Sequence, residues 1–159
     1  MSGVSNFNAP LLNIANEYAK VYSGCRKVQV GCVIEHDGVI ALGANRAIPD
    51  LCKSKQCLRI EKYGEDAKTH RLPGDCRAIH AELDALTFAA MHGIPVKGAT
   101  IWCTRYPCEA CARAIVAAGI RSIHYGRQQE ISDETYDILA CADIGVVWHQ
   151  NWTEEDTAR

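Results

Sequence analysis

The spacing of apolar positions divides the chain into short elements that alternate between helix and strand. Apolar residues at helical spacing predict an amphipathic helix over Ala9–Tyr22. Lys27–Ile34 is rich in Val and Ile and predicts a strand, and Val39–Leu42 predicts its partner. The dipeptide Asp37-Gly38 lies between them and favours a tight turn, so the two strands should form a β-hairpin.

After a long connection, the alternation of elements continues to the end of the chain. The pattern predicts helix Ala78–Met91, strand Ala99–Thr104, helix Cys108–Ala118, strand Ser122–Tyr125, helix Asp133–Ala140 and strand Val146–Trp148. This order indicates one α/β domain over residues 1–159, with three αβα layers and a central mixed five-stranded sheet. The connection Pro49–Asp75 has no clear period and is about twice the length at which structureless loops become uncommon. A connection of this length therefore needs either a function or a cross-link, such as a bound metal, that holds it in place.

Composition narrows the class of protein and of substrate. A chain of 159 residues that is 48% hydrophobic and 23% charged is typical of one soluble globular domain. The formal net charge of -2 gives no basic excess for gripping a long nucleic acid, which favours a small substrate. No apolar run approaches the roughly 20 residues that span a bilayer. Met1–Pro10 lacks the features of a secretory signal, so we expect a cytoplasmic protein without membrane contact.

The chain has nine cysteines, which in a reducing compartment more often indicate metal ligands than disulfides. Three of them, Cys32, Cys103 and Cys141, lie in apolar strand or helix patterns and are expected in the core. The others lie near the long connection or in the motif described next.

A candidate metal site combines His80 with Cys108 and Cys111. Cysteines three residues apart share one helical face, so both sulfurs can reach one ion. Three protein ligands with an open fourth position are typical of catalytic zinc. Glu82 follows the histidine by two residues and is free to move protons. The alternatives are a structural zinc knot in a non-catalytic binding module, or two motifs that never meet.

The order H-x-E…P-C-x-x-C resembles the signature of zinc-dependent nucleobase deaminases. Beyond these residues, 78–86 and 104–111 resemble the deoxycytidylate (dCMP) deaminase family, and similarity extends upstream to 23–31 and 43–49. The resemblance implies a cytidine deaminase fold and conversion of dCMP to dUMP and ammonia. It implies one catalytic zinc on the three ligands, with Glu82 as proton shuttle. It also implies homo-oligomers, often hexamers.

Substrate contacts are expected at four positions. The resemblance implies that Asn45 touches the sugar or base, and the alternative is a turn residue. A monophosphate needs basic partners, for which Arg46 and Arg105 are best placed and Arg26 and Lys27 are weaker. Tyr106 could stack on the pyrimidine or fill the cleft wall.

The chain also departs from the family pattern. Gly43-Ala44-Asn45-Arg46 stands where the family usually has Gly-Tyr-Asn-Gly, and Asp84 stands where it usually has Asn. The stretch after Tyr125 lacks a commonly expected tyrosine. Deamination is therefore a firmer prediction than dCMP, and another cytosine nucleotide, a nucleoside, a riboflavin precursor or a tRNA adenosine is the alternative substrate.

A second, structural zinc is known in some phage-type members of the resembled family. Its candidate ligands here surround the long connection and are Cys25, Cys52, Cys57, His70 and Cys76. Four of these five would make a closed site that pins the loop. Free cysteines remain the alternative.

Overall fold

The computed structural model describes residues 9–25, 27–49, 52, 57–64, 76–128 and 132–153, which form one mixed sheet with helices around it. In chain order, the elements are α1 (Pro10–Tyr22), β1 (Gly31–His36), β2 (Val39–Ala44), α2 (Leu58–Tyr63), α3 (Ala81–Met91), β3 (Thr100–Arg105), α4 (Glu109–Ala117), β4 (Ser122–Arg127), α5 (Asp133–Cys141) and β5 (Gly145–Trp148). The strand order is β2-β1-β3-β4-β5. β1 is antiparallel to both neighbours, and the β3, β4 and β5 pairings are parallel. The predicted mixed five-stranded sheet is confirmed.

Two glycines let helices approach the sheet closely from opposite faces. A Cβ at Gly31 would collide with the Ala15 carbonyl oxygen of α1, and one at Gly43 would collide with the Ala81 carbonyl oxygen of α3. Cross-strand partners share a face, and Gly43 pairs with Cys32, the residue after Gly31. The two glycines therefore point to opposite faces, which places α1 and α3 in separate layers.

The hairpin turn forms as predicted. Asp37 and Gly38 have φ values of 50° and 80°, and His36 pairs with Val39 across the turn. Positive φ at both central residues is what a two-residue turn between right-twisted strands requires.

Two element boundaries differ from the sequence prediction. β1 begins at Gly31 rather than Lys27, because the Asn45 side chain, instead of a neighbouring strand, bonds the backbone of the preceding residues. α3 begins at Ala81 rather than Ala78, because Ile79 bridges to Arg46 as extended backbone. The short helix α2, inside the long connection, was not predicted.

The core lies mainly between the sheet and the layer of α3, α4 and α5. Cys32 and Cys103 are fully buried there, as expected. The expectation for Cys141 is wrong, because it is the last residue of α5 and its side chain is exposed. Among the described residues, no helix combines the length and apolar character needed to cross a membrane.

Candidate metal centre

The N-termini of two helices lie close together, and each N-terminus supplies a metal-binding side chain. His80 is the N-cap residue of α3 and Cys108 is the N-cap residue of α4. Cys111 lies in the first turn of α4 and is fully buried. The Sγ atoms of Cys108 and Cys111 lie 3.3 and 3.4 Å from Nδ1 of His80. The sequence prediction that these three residues meet is correct.

His80 and Cys111 hold protons that a bound metal cation would displace. A hydrogen bond from the Cys111 thiol, opposed by burial and supported by His80, lowers the pKa of Cys108 to about 4. The same bond and burial raise the pKa of Cys111. Hydrogen bonds to Cys108 and Cys76 raise the pKa of His80 to about 10. Two adjacent thiolates repel each other, so a divalent cation is the group that stabilises both.

The donor set fits zinc. One imidazole nitrogen and two sulfurs, all within 4.8 Å of one another, match the ligands and the number that zinc takes in catalytic sites. The positive ends of two helix dipoles add to the stabilisation of thiolate. Among the residues that the structure describes, this is the one group of three His, Cys, Asp or Glu side chains close enough to share an ion.

Glu82 lies beside the cluster without belonging to it. Its side chain is buried, with 4% of the residue exposed. Burial raises the pKa of this carboxyl, while the charge on His80 and a hydrogen bond with Cys111 act in the opposite direction. A buried carboxyl with a raised pKa suits general acid–base chemistry.

Comparison with known proteins agrees with this geometry. The model of the cytidine and deoxycytidylate deaminase zinc-binding region matches residues 6–127. The chain belongs to this family. The zinc-binding region of the family and the His80, Cys108 and Cys111 cluster together establish Zn²⁺ as the cofactor that the chain is built to hold.

Individual relatives are similar over most of this chain. The deoxycytidylate deaminase of Saccharomyces cerevisiae is 33% identical over 136 residues, which are 84% of this chain and 41% of the yeast protein. The ComE operon protein 2 of Bacillus subtilis is 30% identical over 127 residues, which are 78% of this chain and 61% of that protein. This chain therefore spans less than two thirds of the length of either relative.

The fold is also similar to a solved deaminase. The dCMP deaminase of cyanophage S-TIM5, solved in complex with dCMP and dUMP, superposes with a TM-score of 0.66 at 26% identity. The match covers 87% of this chain and 93% of the phage chain. The predicted cytidine deaminase-like fold is confirmed.

Asn45 is held by hydrogen bonds within its own chain. Its Oδ1 accepts hydrogen bonds from the Val30 N–H at 2.8 Å and the Ser23 hydroxyl at 2.5 Å. Its Nδ2 donates to the Val28 carbonyl at 2.7 Å. These bonds tie the segment before β1 to the end of β2, a role that sequence reasoning missed. Most of the hydrogen-bonding capacity of the Asn45 amide is thus used within the chain. The substrate contact expected of Asn45 stays a prediction.

The other expected substrate contacts lie in different surroundings. The Nε of Arg46 bonds the Asp84 carboxylate, so the guanidinium is partly engaged. Arg105 is the last residue of β3 and opposes Arg127 of β4. Tyr106 is 3% exposed and packs edge-on against Tyr125, which favours a structural wall over an open stacking platform.

The weaker phosphate candidates are Lys27 and Arg26. The Nζ of Lys27 is buried and the side chain lies against the Cys57 thiol. Arg26 lies outside the described residues.

The described residues do not place the candidate ligands of the second zinc close to one another. The Cys57 thiol lies against Lys27, and the Cys76 thiol bonds the His80 ring, which lowers the pKa of Cys76. Within the described ranges, Cys25, Cys52, Cys57 and Cys76 do not form a group that could share an ion. His70 lies outside those ranges, so the second zinc stays a prediction.

Proposed function

We propose that the protein catalyses hydrolytic deamination of dCMP to dUMP and ammonia. The observation that carries this proposal is the three-ligand cluster at two helix starts with the buried Glu82 beside it. Membership of the deaminase family supports the reaction type. The dCMP and dUMP bound by the cyanophage enzyme support the substrate.

In the proposed reaction, water adds to C4 of the cytosine ring and the exocyclic amine leaves as ammonia. Zinc, when bound by His80, Cys108 and Cys111, supplies Lewis-acid activation of water. Glu82 takes a proton from the attacking water and transfers it to ring N3. It then carries the proton of the new C4 hydroxyl to the amine, which leaves as ammonia while C4 becomes a carbonyl. Its burial excludes bulk water from these transfers, and its raised pKa allows the carboxyl to hold a proton between steps.

The 5′-phosphate of dCMP needs a cation at the rim of the site. We propose Arg105 for this role, because it ends β3 three positions before Cys108 and so lies on the connection that leads into the metal centre. A guanidinium binds phosphate oxygens through two parallel hydrogen bonds. Arg46 is the weaker candidate because Asp84 already occupies its Nε.

The substrate is tested by ammonia release from zinc-loaded protein with dCMP, CMP, deoxycytidine, cytidine and dCTP. We expect kcat/KM for dCMP to exceed that for deoxycytidine by about tenfold or more, the effect of one or more charge-assisted hydrogen bonds. The Arg105→Gln variant should show a smaller ratio of kcat/KM for dCMP to kcat/KM for deoxycytidine, mainly because its kcat/KM for dCMP is lower.

Three other outcomes would change the assignment. Equal kcat/KM for dCMP and deoxycytidine would assign the protein to nucleosides and remove the role of Arg105. Preference for CMP would assign it to ribonucleotides. Zinc binding without turnover of any cytosine compound would favour a non-catalytic binding module or a different aminated ring.

A further inference from the structure

The start of α3 is attached at two points to the end of β2 and the residues that follow it. The Arg46 N–H donates to the Ile79 carbonyl at 3.0 Å, and the Ile79 N–H donates back at 2.9 Å. One helical turn later, the Asp84 carboxylate accepts a hydrogen bond from the Ala44 N–H at 3.0 Å. The two attachments bracket residues 80–83, which include the candidate metal ligand and the candidate proton shuttle.

An ion pair joins the two attachments to each other. Nε of Arg46 lies 2.9 Å from one carboxylate oxygen of Asp84 and 3.0 Å from the other. The Asp84 side chain is 7% exposed and the Arg46 side chain is 47% exposed. The Asp84 N–H donates to the His80 carbonyl at 2.9 Å, so the paired carboxylate belongs to the turn that carries the metal ligand.

The charge on Arg46 matters because the carboxylate is buried. A buried ion left without its partner is strongly unfavourable, and the segment that carries it moves to recover water or a new donor. Here that segment is the first turn of α3. Misplacement of a catalytic group by about 1 Å can lower a rate by about 100-fold. Burial raises the pKa of Tyr18 on α1, and the nearby charges of Arg46 and Asp84 lower and raise this pKa in turn, so α1 lies near the pair.

We propose that Asp84 and Arg46 are positioning residues, which act as one unit to hold His80 and Glu82 at the metal centre. The expected effect on kcat rests on the proposed deaminase function. The expected effect on the rate of zinc loss rests on the metal centre alone. Neither residue touches the reacting atoms in this account.

The test compares Asp84→Asn, Arg46→Gln, Arg46→Lys and the double variant Asp84→Asn/Arg46→Gln. Asparagine keeps an oxygen for the Ala44 N–H and removes the charge, so it isolates the ion pair. Two quantities are measured on folded, zinc-loaded protein: kcat for a cytosine substrate that the unaltered protein turns over, and the rate of zinc loss to a chelator. Arg113→Gln is the matched control, because it removes a surface ion pair with Glu109 on the other ligand-bearing helix.

We expect each charge-removing single variant to lower kcat by about tenfold or more and to speed zinc loss about 10- to 100-fold, as loss of groups that orient metal ligands does. KM should change by less than about twofold, since the phosphate role is proposed for Arg105 rather than for the pair. The double variant should be no worse than the poorer single variant, because the residues act as a unit. Arg46→Lys should retain more activity than Arg46→Gln, and Arg113→Gln should match the unaltered protein.

Two results would overturn the inference. One is a lower melting temperature with kcat per bound zinc and the zinc-loss rate unchanged, which would make the pair a stabilising contact only. The other is full multiplication of the two single effects in the double variant. If the unaltered protein turns over no cytosine compound, the proposed function fails, while the zinc-loss rates still decide the role of the pair.

Discussion

Replacement of Glu82 by glutamine is expected to lower kcat for deamination by about 10²- to 10⁴-fold, the contribution usual for a positioned general acid–base group. Glutamine has nearly the same size, but it cannot take a proton from water or carry one to N3. Because Glu82 is outside the three-ligand group, the zinc content should remain that of the unaltered protein. The measurement is ammonia release at saturating substrate, normalised to bound zinc.

The control for this prediction is Glu134→Gln. Glu134 is also in the first turn of a helix, but it lies on α5 and its side chain is 57% exposed. Its replacement should leave kcat unchanged. A Glu82→Gln protein that binds zinc and retains more than about a tenth of the activity would remove Glu82 from the proton-transfer role, since general acid–base groups contribute more than this.

Replacement of Cys111 by serine is expected to abolish both zinc retention and deamination. Cys111 is fully buried and supplies one of three ligands, so its loss leaves two ligands and a site that serine cannot restore with the same affinity for zinc. The zinc content, measured by metal analysis, should fall from about one catalytic ion per chain to well below that value. Activity should fall at least as far as in Glu82→Gln, and added zinc should not restore it.

Cys141→Ser is the matched control, because it removes an exposed thiol at the end of α5. That variant should bind zinc and turn over substrate normally. Metal analysis of the unaltered protein also addresses the second zinc: about two ions per chain would support the prediction of a structural site, and about one would contradict it. Cys111→Ser protein with full zinc content would show that the cluster is not the metal centre.

Much of the fold could be predicted from sequence because its signals are local. The Asp37-Gly38 turn requires positive φ at adjacent positions, and the chain places residues there that tolerate it. The metal centre was also predictable, since Cys108 and Cys111 are on one helical face and His80 begins another helix. These features depend on residues within a few positions of each other and on the order of elements.

The features that were missed depend on side chains bonding distant backbone. β1 starts late because the Asn45 amide bonds Val28 and Val30, and no local propensity reports such a bond. The sequence marks Asp84 as a departure from the family pattern and Arg46 as both a departure and a candidate phosphate partner. Their pairing is visible only once β2 and α3 are placed side by side. Cys141 was misjudged because an apolar pattern does not show which residue of a final helical turn faces outward.

Reaction of zinc-loaded protein with dCMP in oxygen-18-labelled water shows whether the protein forms the new bond between C4 and the oxygen of water. We expect dUMP with oxygen-18 at C4 and ammonia in equal amount, and we expect the Glu82→Gln protein to form both at least about 100-fold more slowly. Unchanged dCMP after incubation with protein that carries its full zinc content would rule out the proposed deamination of dCMP.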